Sequence, residues 1–96
     1  MFESGKEHLW PVDAWWGFHS GGGHFEQLGA FADALNARYG QAANLEDFAA
    51  KSQLMTYEGI RAMYEAFSRN KYVSTGVIQW MLNNAWPSMI WHLYDY

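Results

Sequence analysis

The sequence predicts a slice of an α/β fold: two long helices followed by a single strand. Three observations lead there. Apolar residues recur at three- and four-residue steps over residues 25–39 and again over about 45–70, which is the helical period. A different pattern follows in Gly76-Val77-Ile78-Gln79-Trp80-Met81-Leu82-Asn83-Asn84-Ala85-Trp86-Pro87. It starts as an apolar run with adjacent β-branched residues, a strand over about 76–82, and then breaks into amides, tryptophan and proline. A buried strand ending abruptly in polar and aromatic residues is how a parallel sheet delivers side chains to a ligand site. The third observation is that this strand has no second strand to pair with, and an unpaired strand leaves N–H and C=O groups unsatisfied. The helix–helix–strand order therefore fits a slice of a repeating βα layout, with residues 1–96 forming one partial domain.

Composition narrows the function classes. Six basic and 10 acidic residues give a net charge of −4, with no basic cluster, which argues against nucleic acid as a partner. Six Trp, six Tyr and six Phe in 96 residues suggest a dense core, a ring-binding surface, or both. With no Cys there is neither a disulfide framework nor a thiolate metal site, and the compartment stays open, a secreted or periplasmic parent included. No apolar run approaches the ~20 residues of a membrane helix, so no membrane partner is expected. The start, Met1-Phe2-Glu3-Ser4-Gly5-Lys6, lacks the apolar stretch of a signal peptide.

Residues 1–24 carry no period. Trp10-Pro11, Trp15-Trp16, Gly17 and Gly21 to Gly23 indicate an ordered, irregular segment with a short helical turn around Val12–Phe18. In the first long helix, Phe25, Leu28, Ala32, Leu35 and Tyr39 line one face. Gly40 suits the position just past its end, and Arg38 suits the negative end of its dipole. Asn44 is a strong N-cap for the second, with Glu46 and Asp47 in the first turn. Leu45, Phe48, Ser52, Met55, Ile60, Met63, Tyr64 and Phe67 form its core stripe, and Arg61–Glu65 and Glu65–Arg69 are spaced to pair along its outer face. Such a helix is about 38 Å long, more than a two-helix domain of this size needs. Gly59 inside it must be compensated by packing or mark a bend. Residues 70–75 are a polar link, 83–88 a loop fixed by Pro87, and 89–96 a short helix or an extended segment.

The candidate site is Trp80, Asn83, Asn84 and Trp86 at the carboxyl end of the strand: an indole face for a sugar ring and amides for its hydroxyls. The plainer reading is a buried tryptophan followed by a strand-ending turn, and position in a fold does not by itself make a site. Other constellations are weaker. His19 and His24 have no third metal ligand, and the glycines between them match no phosphate-loop pattern, so neither metal nor cofactor is expected. Glu3, Glu7, Asp13 and Asp95 are the carboxylates outside the helices, and nothing pairs any two of them as glycosidase chemistry requires. His92 and Asp95 are spaced as an acid/base pair or as a surface contact.

The spacing Trp80-x-Leu82-Asn83-x-x-Trp86-Pro87-x-x-x-Trp91-x-x-x-Asp95-Tyr96 resembles the end of the catalytic barrel of glycoside hydrolase family 2. The branch is that of the β-mannosidases, exo-β-D-glucosaminidases and mannosylglycoprotein endo-β-mannosidases. Upstream, Ala34-Leu35-Asn36-Ala37-Arg38-Tyr39-Gly40, Leu45-Glu46-Asp47-Phe48, Lys51-Ser52-Gln53-Leu54 and Tyr57-Glu58-Gly59-Ile60-Arg61 are similar to the segment before strand eight. The resemblance covers roughly residues 8–96. It implies a fragment of a (β/α)8 barrel: the segment after strand seven, outer helices, strand eight and its loop. It also implies a retaining mechanism with two glutamates, both expected upstream of Met1. Glu3 lies too near Leu9-Trp10-Pro11 to match the nucleophile. Trp80 matches the tryptophan that floors the subsite for the non-reducing sugar, with a non-proline cis peptide expected at Trp80–Met81. Asn83 and Trp86 match the loop lining the same pocket. The implied partners are a carbohydrate substrate and the remainder of the barrel. Two other readings stay open: a freestanding Trp-rich carbohydrate-binding or interaction module, and an α-rich structural protein without a ligand.

Overall fold

In the computed structural model the described residues are 9–20, 28–80, 82, 83 and 94. Three helices form: α1 over Ala14–His19, α2 over Leu28–Tyr39 and α3 over Leu45–Arg69. The start of the predicted 25–39 helix, residues 25–27, lies outside the described residues.

Each helix begins or ends where its sequence provides for it. Asp13 caps α1, its Oδ1 accepting from the Trp15 N–H at 2.9 Å. Gly40, directly after α2, has φ +79°, a backbone angle that favours glycine, and its N–H donates to the Asn36 carbonyl at 2.9 Å. Asn44 caps α3, its Oδ1 accepting from the Asp47 N–H at 2.9 Å. Asp47 Oδ2 reaches back to accept from the N–H of Ala43, the residue before the cap, at 3.0 Å. At the far end the Asn70 N–H and its side-chain amide both donate to the Ala66 carbonyl.

The core gathers where α1, α2 and the first half of α3 meet. Trp16, Leu35 and Phe48 are buried, and Trp10, Val12, Leu28, Phe31, Ala32, Tyr39, Ala42, Leu45 and Met55 pack around them. The Trp16 ring stands edge-on to Phe48 at 5.7 Å, and Trp10 lies 5.6 Å from the same ring. Such aromatic pairs add to the area they bury. The Trp16 indole N–H donates to the Leu9 carbonyl at 3.0 Å, which satisfies the polar edge of a buried ring. The peptide bond between Trp10 and Pro11 is cis.

Two sequence expectations need correcting. The stripe on α3 is core only in its first half. Beyond Ile60 every α3 residue is exposed, including Met63, Tyr64 and Phe67, because among the described residues no helix packs over that stretch. The strand over 76–82 does not form among the described residues either. After a turn at 70–73 the chain runs on without regular structure, since a strand is held by its neighbour's hydrogen bonds and no strand lies beside it among the described residues. The sole sheet-like contact described is an isolated parallel bridge between Asn83 and Tyr94, with the Tyr94 N–H donating to the Leu82 carbonyl at 3.0 Å. Through Gly59, by contrast, α3 continues unbroken.

Candidate functional site

The candidate site is built from the segment that follows α3. Trp80 is 69% exposed, so it is not the buried strand tryptophan of the plainer reading. Its carbonyl accepts from the Gln79 side-chain amide at 3.1 Å. Exposure alternates along the approach: Ile78, Trp80 and Leu82 are exposed, while Val77 and Gln79 are half-buried. That two-residue period is a strand's, although no strand forms among the described residues. Asn83 is exposed and is joined to Tyr94 by the parallel bridge. Trp86, Asn84 and the Trp80–Met81 peptide lie outside the described residues. Chemically, an open indole face with an amide three residues on can stack on a sugar ring and hydrogen-bond to hydroxyls. It carries no group that could transfer a proton.

The other sequence candidates have structural roles or fall outside the description. The Asp13 carboxylate is occupied as the α1 cap. His19 is buried at the end of α1, with its ring edge-on to Phe18 at 5.2 Å. Glu3, Glu7, His24, His92 and Asp95 lie outside the described residues. No cluster of potential metal ligands exists among the described residues. Among the described residues one hollow, of about 350 Å³, lies beside α1, lined by Val12, Asp13, Gly17, Ser20, Leu28 and Gly29. Another, of about 290 Å³, lies between the end of α3 and the following segment, lined by Tyr64, Phe67, Lys71, Gly76 and Val77 among others. Neither includes Trp80.

What does converge is a polar framework at the α2–α3 junction that sequence reasoning missed. Lys51 Nζ donates to the carbonyls of Gly40 and Gln41, each at 3.2 Å, and pairs with Asp47 at 2.8 Å. The bond from Lys51, with that from the Ala43 N–H, holds the Asp47 carboxyl below the usual aspartate range. Glu58 ties the end of α2 to the middle of α3. Its Oε2 accepts from the Tyr39 hydroxyl at 2.5 Å and from Arg38 at 2.6 Å. The bond to the Glu58 carboxylate raises the Tyr39 phenol above its ordinary value. Only the four-residue spacing of Asp47 and Lys51 was readable beforehand. Arg38 suited the helix dipole, but its partner 20 residues away depends on how the helices fold back. Of the pairs expected on α3, Arg61–Glu65 forms at 2.7 Å, and Arg69 makes no ion pair among the described residues.

The comparisons with known proteins point one way. The chain is 51% identical over 75 residues to an exo-β-D-glucosaminidase of Amycolatopsis orientalis, covering 74% of this chain and 7% of that protein. It is 40% identical over 101 aligned positions to an exo-β-D-glucosaminidase of Arthroderma benhamiae, covering 100% of this chain and 12% of the relative. A mannosylglycoprotein endo-β-mannosidase of Lilium longiflorum is 37% identical over 59 residues, covering 60% of this chain and 6% of the relative. The chain thus spans about a tenth of the length of the curated relatives it matches. No family model matches the chain, and no solved structure does.

Proposed function

The chain is homologous to exo-β-D-glucosaminidases and to a mannosylglycoprotein endo-β-mannosidase, as its resemblance to that branch of glycoside hydrolase family 2 implies, and from this premise we propose that it is part of a retaining β-glycosidase acting on β-glucosaminides or β-mannosides. Its contribution is the wall of a sugar subsite: Trp80 for the ring face, with Asn83 and Trp86 for its rim. The two catalytic carboxylates belong to other parts of the protein, and residues 1–96 form part of a (β/α)8 barrel. The observation that carries this reading is the 51% identity to an exo-β-D-glucosaminidase over 75 residues. The openness of Trp80 supports a role in presenting an indole face to a ring.

The test starts from the DNA on either side of this reading frame. A frame that supplies a barrel with two glutamates, expressed whole, is expected to hydrolyse aryl β-glucosaminides or β-mannosides. Trp80→Ala in that protein should lower kcat/KM by roughly 2- to 13-fold, because a stacked aromatic contact is worth on the order of 0.5–1.5 kcal/mol. The 96-residue chain alone should be inactive. Hydrolysis by the purified chain that disappears on Glu3→Gln or Glu7→Gln would sink the reading, and a stable sugar-binding monomer without an upstream barrel would replace it with a freestanding binding module.

A further inference from the structure

On α3, Tyr57-Glu58 is followed seven residues on by Tyr64-Glu65. Seven residues fall about 20° short of two full turns, so the two tyrosines share a face. They lie about 10.5 Å apart along the helix axis. That face is not the core's. Phe48 and Met55 pack inward, and Tyr57 and Tyr64 stand about 180° round the helix from them. Both tyrosines are open, 59 and 46% exposed, with Leu54 beside them at 45%. Arg61 stands one turn from each tyrosine and donates to Glu65 at 2.7 Å. The side chains of Glu58 and Glu65 stay 37 and 58% exposed although Arg38 and Arg61 pair with them. Past Tyr64 the same face reaches the hollow of about 290 Å³, where Ser68, Lys71, Ser74 and Thr75 bring hydroxyls and an ammonium to its wall.

We propose that this outer face of α3 is a surface track for a β-linked glucosaminide chain, separate from the Trp80 site, with Tyr57 and Tyr64 as two stacking platforms. The spacing suits that occupant. In an extended β-linked chain every second pyranose presents the same face, and the distance between two such rings is close to two helix turns. Both tyrosines can therefore engage one straight chain, each meeting the apolar C–H face of a ring while its hydroxyl stays in water. The charge agrees in sign. The protein carries a net −4, each tyrosine is followed by a glutamate, and the amines of a glucosaminide are cationic when protonated. The polar groups around the hollow then serve the hydroxyls of the ring on Tyr64. A partner helix fits less well. Tyr57, Ile60, Tyr64 and Phe67 have the seam spacing of a coiled coil, but one heptad earlier the same positions hold Ala50 and Gln53, so the seam is too short to hold a second helix. The identity of the sugar rests on the glycosidase reading; the paired platforms do not.

The experiment titrates the full 96-residue chain with β-linked glucosamine as monomer, dimer and hexamer, and reads binding by calorimetry. The hexamer should bind about tenfold or more tightly than the monomer, because it alone spans both platforms. Tyr57→Ala and Tyr64→Ala should each weaken hexamer binding about threefold or more and erase its advantage over the dimer. Tyr57→Trp should keep both. Ala34→Gln, exposed on α2, should change binding less than about twofold. Circular dichroism checks that the helices survive. A second measurement uses the whole protein encoded by the flanking frame. Tetranitromethane should nitrate Tyr57 and Tyr64 there, and the hexamer should shield them. A folded chain that does not bind the hexamer would overturn the proposal, as would binding indifferent to both tyrosines, or tyrosines already shielded in the whole protein without sugar. Tyrosine-dependent hexamer binding by a whole protein that hydrolyses no aryl β-glycoside upholds the track and removes the glycosidase reading. Hydrolysis without tyrosine-dependent binding does the reverse.

Discussion

Lys51 sits in the second turn of α3 and turns back over the loop that led into it. One ammonium group meets the carbonyls of Gly40 and Gln41 and the carboxylate of Asp47, while the Asn36 side chain accepts from the Ala42 N–H at 3.3 Å. Backbone groups freed at the end of α2 thereby find partners that the helix itself cannot supply. The pH dependence of this junction has a definite sign. Asp47 is held below its ordinary value in the folded chain, so the unfolded chain takes up the proton first. The stabilisation is present above the unfolded carboxylate range and is lost as pH falls through the lowered folded value. Acid titration of helicity should therefore show the junction weakening below about pH 4, and Asp47→Asn should flatten that limb while lowering stability at neutral pH. Single residues were unevenly legible. Asn44 and Gly40 could be assigned from residue type, because cap chemistry is local. The burial of Trp16 and the convergence of Arg38 and Tyr39 on Glu58 could not, because they depend on the crossing of two helices.

At the scale of elements, α2 and α3 were readable and the strand was not realised, and the same physics explains both. A helix satisfies its own backbone, so a cap, an acidic first turn and a stripe suffice to place it. α3 carries all three and runs over Leu45–Arg69, within a residue of the predicted end. Replacing its cap tests the local account: Asn44→Ala should cost about 1 kcal/mol, since the Asp47 N–H then loses its acceptor. In a chain of this size that lowers the thermal midpoint by roughly 4–8 °C. Asn44→Asp should recover most of the loss. A strand, by contrast, borrows half its hydrogen bonds from a neighbour, and periodicity cannot supply a neighbour. The stripe on α3 has the same limitation. Its residues report a preference for burial along the whole helix, but among the described residues no helix packs on Met63, Tyr64 and Phe67, which stay exposed. Of the proposed sugar-site residues, Trp80 and Asn83 were legible as a motif. How they stand toward Trp86 depends on backbone outside the described residues.

Across the whole molecule the chain divides into a packed end and an uncovered end. Residues around Trp16, Leu35 and Phe48 form a core in which Leu35 is fully enclosed, whereas from residue 61 onward α3 and the segment after it offer surface. The radius of gyration, 15.4 Å, exceeds the ~13 Å of a compact domain of about 100 residues. The uncovered end has one more consequence, for the test tube. Val77-Ile78-Gln79-Trp80-Met81-Leu82 contains no charge, no proline and no glycine. A six-residue window of that composition can stack on copies of itself as cross-β. The isolated chain should form thioflavin-positive fibrils, with a lag that shortens as concentration rises. Ile78→Lys, a charge on an already exposed position, should lengthen that lag several-fold while leaving the helical signal intact. The residues proposed to line a sugar pocket are then the same ones that make the solitary chain a seed for amyloid.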